Sequence, residues 1–361
     1  MRIKIRVNPR LYGPCHLRSI SIIFSIRQTH KQPQSPKLRL FFMHILLVNN
    51  TRIPALKYGG TERVIWALGK ALVALGHQVS YLVAKASYCP FAMVYTYNPA
   101  LALERQIPPG VDLVHIHFPI AQAPDFPYLA TLHGNGEAGE KFAPNTVFLT
   151  ADHAQRHHGE AFVYNGLDWD EYGPVDWQKE RRHLLFLAKT SRKEKNVKGA
   201  IEIAKNRETK LEIIGGHKLI FNKYIRFRGQ VGGAKKTALL NHGLALLNPI
   251  RWHEPFGLAP IEALYYGNPV FATPYGSMPE LITEEVGFLS TKGSDLSQAL
   301  DQLPYYSRKL CHHYVVERFN HLDMAKNYLA YYEKVLNGEK INKNAPFVAA
   351  DQHKTLLAYD W

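Results

Sequence analysis

Residues 43–83, MHILLVNNTRIPALKYGGTERVIWALGKALVALGHQVSYLV, read as strand, loop, helix and strand. Met43 to Val48 is an apolar run without alternation, which fits a strand buried on both faces. Asn49 to Gly60 is a loop. From Thr61 to Leu75 the residues Val64, Leu68, Ala71, Leu72 and Leu75 recur at helical spacing, and Gly76 stands where a left-handed residue closes a helix at little cost. Gln78 to Val83 is the returning strand. A strand, a covering helix and a second strand form the unit of a parallel sheet.

Outward from this unit the alternation continues. Asp112 to His117, Tyr128 to His133, Thr146 to Thr150 and Ala161 to Asn165 read as further strands. The turn-rich stretch NGLDWDEYGPVDW, residues 165–177, reads as a linker. A second series follows it: strands at His183 to Ala188, Lys210 to Gly215, Ile225 to Val231, Leu244 to Asn248 and Pro269 to Thr273, with helices at Lys198 to Lys205, Lys235 to Asn241 and Pro260 to Tyr266. A last helix is expected from His321 to Leu336, returning toward the first series, with a hinge at residues 166–180. The expected fold is α/β, two Rossmann-like doubly wound domains facing a cleft, at residues 43–172 and 173–337, with a polar tail at 338–361. Open α/β sheets bind ligands beyond the C-terminal ends of their strands, so the chemistry is sought in the loops there.

Composition agrees with two folded domains. The chain has 361 residues, 46% hydrophobic and 20% charged, which sets aside collagen-like and wholly disordered readings. No run of 18 apolar residues suggests a membrane span. Cys15, Cys89 and Cys311 are too few and too scattered for a disulfide framework or a zinc site, so a reducing cytoplasm is the expected location. The net charge of +14 is unevenly spread: residues 1–42 hold nine Lys or Arg and no Asp or Glu. This basic leader is expected to lie outside the fold, as an extension upstream of a start at Met43; a targeting or membrane-surface arm and an ordered extra element are the alternatives. With the leader set aside, no basic and aromatic motif points to nucleic acid. Peripheral membrane contact through basic residues stays open.

Residues 252–282, WHEPFGLAPIEALYYGNPVFATPYGSMPELI, carry the sharpest chemistry. Pro255 and Gly257 place Glu254 in a loop, and Pro260 suits the first position of a helix, which puts Glu262 in its first turn. Free N–H groups at a helix start attract phosphate, while two ionised carboxylates only accept hydrogen bonds. That combination suits a diphosphate lying between two polyols. The bland alternative has Glu262 complementing the helix dipole and Glu254 capping a turn.

This segment resembles the E-x7-E region of glycosyltransferase family 4, with its EPFG, IEA, GNPV and GSMPELI pieces in order. MHILLVNN, YGGTERV, ALGHQVSYLVA, DLVHIHFP, LATLHG, VYNGLDWDEYGP, FLAKTSRKEKNVKGAIEIA and ERFNHLDMAKNYLAYYEKVL resemble further family segments, across residues 43–337. The resemblance implies the two-domain GT-B fold and transfer of a sugar from a UDP- or GDP-linked donor to an acceptor hydroxyl, with retention of configuration and without a metal. No cofactor is expected beyond the nucleotide-sugar co-substrate, and the acceptor is a saccharide, a lipid or a small molecule. No Asp-x-Asp metal motif is expected in the chain, in agreement with a metal-independent mechanism. A nucleotide-sugar hydrolase or epimerase and a non-catalytic sugar-nucleotide-binding partner are the competing readings.

The family's roles fall on matching residues. Glu262 would hold the ribose hydroxyls, Glu254 the donor sugar, and the amides of Phe256, Gly257 and Leu258 would approach sugar and phosphates. Lys189 and Lys195, six positions apart in KTSRKEK, match the cationic pair that neutralises the departing diphosphate. The first is Lys where Arg is usual, losing the bidentate fork, and Arg192 or Lys193 could compensate. Gly59 and Gly60 would let the backbone approach a donor phosphate. His117 matches the histidine facing the donor sugar. His133, ending the next strand, and His115, two residues before His117 on the same face, are weaker candidates. Pro249-Ile250 and Gly215-Gly216-His217 depart from family usage, the latter where the base would be held. Acceptor choice is expected in Tyr88 to Pro109 and Gly134 to Asn145.

Overall fold

The computed structural model describes residues 42–55, 59–218, 222–349 and 355–361. The basic leader of residues 1–42 lies outside the described residues, Phe42 excepted, as does Cys15.

Two six-stranded parallel sheets organise residues 42–361. The first holds β1 (His44–Val48), β2 (Gln78–Val83), β3 (Met93–Thr96), β4 (Leu113–Ile116), β5 (Tyr128–Thr131) and β6 (Thr146–Val147), in the order β3-β2-β1-β4-β5-β6. The second holds β7 (His183–Leu187), β8 (Leu211–Ile214), β9 (Ile225–Gly229), β10 (Gly243–Asn248), β11 (Val270–Ala272) and β12 (Gly287–Leu289), in the order β12-β11-β10-β7-β8-β9. Counted from its own first strand, each sheet has the doubly wound order 3-2-1-4-5-6. The order reverses between β1 and β4 in one and between β7 and β10 in the other, and a crevice opens beyond the strand ends at each such point.

The helices that frame these crevices follow from amphipathic faces. α1 (Gly60–Ala74) buries Val64, Ile65, Leu68, Ala71 and Leu72. α3 (Val197–Asn206) buries Ala200, Ile203 and Ala204 and begins at Asn196, whose side chain accepts the Gly199 N–H. α5 (Leu258–Tyr265) buries Ile261, Glu262, Ala263 and Leu264. It opens two residues before Pro260, at Leu258, with Gly257 preceding it at φ +94. Pro260 is therefore the third helical residue, tolerated because N–H groups of the first turn have no intrahelical partner. Glu262 lies beyond the first turn, so it is no helix-dipole partner at that end.

Other expectations are corrected. Ala161 to Asn165 is not a strand: it forms one parallel bridge, Phe148 with Phe162, because the chain turns into α2 (Ala151–Arg156) directly after β6. β3 and β12, one outer strand of each sheet, were not expected, nor were α6 (Met278–Leu281), α7 (Gly293–Ala299) and α8 (Arg308–Arg318). α9 (His321–Leu336) lies against α1 and β5, and its Tyr328 and Tyr332 hydroxyls meet Thr131 and His115. Of the expected polar tail, residues 338–349 and 355–361 are described, and they bond to the body of the protein. Asn342 is buried, donates to the Pro144 and Thr146 carbonyls and accepts the Glu160 N–H, while Leu357 and Asp360 bond the backbone of Arg251 and Gly293. Between the lobes, Trp169 stacks on Tyr265 with ring centroids 4.8 Å apart, and the Tyr265 hydroxyl donates to the Gly173 carbonyl.

Candidate functional site

A cavity of about 920 Å³ lies where the two reversal points face each other. The loop after β1 supplies Gly59 and the start of α1 Gly60 and Thr61; the turn after β7 supplies Lys189, Arg192 and Lys195; the loop after β10 supplies Trp252, Glu254, Phe256 and Gly257. The starts of α1 and α5 oppose each other so closely that a Cβ on Gly60 would sit 3.4 Å from the Leu258 side chain. A Cβ on Gly59 would come 2.4 Å from the Glu62 carboxylate, so both glycines keep this corner narrow.

The loop carrying Glu254 is held from behind. Gly276, at φ +63, bridges Glu254, and a Cβ there would lie 2.4 Å from the Glu254 backbone nitrogen and oxygen. The Ser277 N–H donates to the Glu254 carbonyl at 2.9 Å, and the Ser277 hydroxyl donates to that of Phe256. The GSMPELI piece thus fixes the EPFG turn. Phe256 points its ring into the core against Phe319, which leaves its backbone to the cavity.

Two carboxylates divide the cavity. Glu254 is paired with Lys195 and also accepts the Trp252 indole N–H at 3.0 Å. Lys195 Nζ rides 4.5 Å from the Trp252 ring centroid, and the Arg192 guanidinium 5.0 Å from it. Cations over an indole face are attracted by its quadrupole, so Trp252 organises both. Sequence reasoning did not single it out. Lys189 lines the cavity exposed and, among the described residues, without an ion pair. Glu262 is buried and paired with Arg63 of α1 and with Lys236 of α4 (Gly233–Asn241), whose Nζ lies 2.8 and 2.9 Å from its two oxygens. Burial pushes its carboxyl up, but Lys236 and Arg63 outweigh that and hold it down at about 2. Arg63 also donates to the Tyr172 hydroxyl at 2.7 Å. Arg63 and Lys236 were likewise missed, since each lies far from Glu262 in sequence.

The histidines separate by position. His115 is in the core, within 2.7 Å of the Tyr332 hydroxyl and 2.8 Å of that of Thr131. His117 shares a hydrogen bond of 3.0 Å with His133 and lines a second cavity of about 370 Å³ rather than the large one. His133 lines both. Burial lowers all three, His133 to about 4, so they are neutral imidazoles at pH 7. The linker does contain one Asp-x-Asp pair, Asp168 and Asp170. Asp168 is bound by Lys70 and accepts the Asp170 N–H at 3.2 Å, which is the work of a turn cap. Among the described residues no three His, Cys, Asp or Glu side chains converge as metal ligands, and no helix is long and apolar enough to cross a membrane.

Two lobes of doubly wound sheet meeting at their reversal points define the GT-B fold of glycosyltransferases. Comparison with known proteins agrees: residues 174–312 match the family model described as "Glycosyl transferases group 1". The structure is similar to that of AviGT4, a glycosyltransferase involved in avilamycin A biosynthesis, with a TM-score of 0.68 and 21% identity over 82% of this chain and 98% of that one. It is similar to sucrose-phosphate synthase from Thermosynechococcus elongatus at TM-score 0.63 and 18% identity, over 82% and 100% of the two chains. Anabaena HepE, solved with UDP and glucose, aligns at TM-score 0.58 and 16% identity over 81% and 99%. By sequence, a Klebsiella pneumoniae protein described as an uncharacterized 41.2 kDa protein in the cps region is 24% identical over 170 residues, 43% of this chain. The match spans under half, 47%, of that relative.

Proposed function

We propose that the protein is a retaining, metal-independent glycosyltransferase of the family 4 type, moving a sugar from a UDP- or GDP-linked donor to an acceptor hydroxyl. The observation that carries this reading is the pairing of Glu254 and Glu262 on either side of two facing helix starts, with Lys189 and Lys195 at the same crevice. A diphosphate accepts from helix-start N–H groups and from lysines. The polyols at its two ends donate to the carboxylates. Glu262 then takes the ribose, sharing its oxygens with Arg63 and Lys236, and Glu254 takes the donor sugar, with Lys195 fixing its orientation. The amides of Phe256, Gly257 and Leu258 face the sugar and phosphates, and Gly59 and Gly60 admit the phosphate from the other lobe.

In the transfer, the bond from the anomeric carbon to the phosphate oxygen breaks on the face where the acceptor oxygen bonds. The acceptor proton passes to the leaving phosphate. Lys189 and Lys195 stabilise the charge that develops there, the kind of preorganised electrostatics that dominates such reactions. His117, neutral, orients a sugar hydroxyl through His133. That HepE, similar in fold, was solved with UDP and glucose supports a nucleotide-sugar donor.

Isothermal titration of the full chain with UDP-glucose and GDP-mannose, followed by release of nucleoside diphosphate, tests the reading. One donor is expected to bind and turn over, and Glu262→Ala is expected to abolish the binding. A folded protein that binds neither donor overturns the proposal; binding without turnover favours the non-catalytic partner.

A further inference from the structure

The second cavity, about 370 Å³, opens beside the first and shares Thr61, His133, Gly134 and Asn135 with it. Its charge is one-sided where that of the first is mixed. The large cavity sets Arg63, Lys189, Arg192, Lys195 and Lys236 against Asp168, Glu171, Glu254 and Glu262; among the described residues the small one has no Lys or Arg and three carboxylates, Glu62, Glu137 and Glu140. Its remaining polar wall is Asn49, Asn50 and Thr51 from the loop after β1 and His117 from the end of β4. Among the described residues Glu62 makes no ion pair, and the Glu140 carboxylate accepts the Glu137 N–H at 2.8 Å. His117 is 4% exposed, and among the described residues its Nε2 has no hydrogen-bond partner while Nδ1 is spent on His133. A buried imidazole nitrogen left unbonded costs free energy until a ligand group meets it. Neutral at pH 7, this ring adds no positive charge to offset the three carboxylates.

We propose that this cavity is the acceptor subsite and that it takes a saccharide bearing a free amine, bound through its ammonium and hydroxyls, in preference to a neutral sugar and to the exclusion of phosphorylated ones. The proposal rests on the transferase reading of the large cavity for the word acceptor, but the charge selectivity stands on the small cavity alone. Its position fits: a molecule here reaches the donor past Thr61 and Gly134, the shared rim. Carboxylates accept from ammonium and hydroxyl groups, whereas a phosphate would face three like charges, a juxtaposition that interfaces use to reject ligands. The loop from Gly134 to Glu140 forms one wall, which places acceptor choice in part of the region expected from the sequence; Tyr88 to Pro109 does not line this cavity.

The test is saturation-transfer NMR of the full chain with glucosamine, glucose and glucose 6-phosphate as probes, with and without UDP. Glucosamine is expected to bind best and glucose 6-phosphate at least about tenfold more weakly. The exposed and half-buried pair Glu137→Gln with Glu140→Gln is expected to erase that preference while leaving UDP-sugar titration unchanged. Equal or tighter binding of glucose 6-phosphate, no binding of any probe, or an unaltered preference in the double variant overturns the proposal. Loss of UDP-sugar binding in the unmodified chain would instead bring down the reading of the large cavity, and the probe ranking without UDP would still decide the subsite.

Discussion

Glu254 and Glu262 stand eight residues apart in one loop and helix, yet they are held in different ways. Every partner of Glu254 comes from the second lobe: Lys195 from the turn after β7 and Trp252 from its own loop. Glu262 is shared between the lobes, with Lys236 on one side and Arg63 from α1 on the other. The loop around Glu254 is tied across the lobes, by the Asn135 amide to the His253 carbonyl at 2.7 Å and the Thr150 hydroxyl to that of Pro255 at 3.2 Å, but the Glu254 carboxylate itself is partnered within the second lobe, while that of Glu262 reports how closely the lobes approach. A ligand that needs both carboxylates senses chemistry at one and closure at the other.

The largest effect is expected where the difference is sharpest. Glu254→Gln and Lys195→Ala should each lower kcat by about a hundredfold or more, the usual loss when one preorganised charge partner is removed, with the fold intact by circular dichroism. Retained kcat in both variants would place the chemistry elsewhere. Next comes acid. His115, His117, His133 and His153 have folded pKa values depressed by burial, so below the ordinary imidazole value the unfolded chain binds more protons and stability falls. For His133, which lies at about 4 in the fold, the loss by pH 4 is about 3 kcal/mol. Glu262, held at about 2, withdraws its contribution only as pH drops from the ordinary carboxyl value through 2. The histidine-rich first lobe should thus loosen between about pH 6.5 and 4, before Glu262 titrates. Urea midpoints across that range check this, and a flat profile would contradict it. The smallest effect is expected from Trp252→Phe, which keeps the aromatic face but removes the indole N–H to Glu254. Donor affinity should weaken by about fivefold, the worth of one hydrogen bond of about 1 kcal/mol. Arg63→Ala, by contrast, should enlarge the radius of gyration of the donor-free protein in X-ray scattering while Trp252→Phe leaves it unchanged.

Much of the fold was legible because its central strands are buried on both faces. β1, β2 and β10 are continuous apolar or nearly apolar runs, and a pattern of that kind marks a strand in a parallel sheet. β3 escaped notice because MVYT sits at an edge with Met93 and Tyr95 exposed, leaving no buried pattern to see. α5 began earlier than its proline suggested, since a glycine with a left-handed backbone, and not Pro260, set its start. Of the site, the strand-end loops and both carboxylates could be placed from order and spacing alone. The partners of Glu262 could not: Arg63 and Glu262 are 199 residues apart, and only the packing of the two lobes joins them. Which cavity His117 enters was equally out of reach, because strand periodicity fixes a face and not a neighbour.

The return of α9 to the first sheet has a consequence for the order in which the chain can be completed during synthesis. The strands and α1 of the first lobe emerge first, yet the face of β5 and α1 that Tyr328 and Tyr332 cover stays bare until the whole second lobe has been made. Exposed apolar surface of that kind invites association with other chains. An early-folding second lobe that delivers α9 promptly shortens the exposure, and a ribosome paused before residue 321 prolongs it.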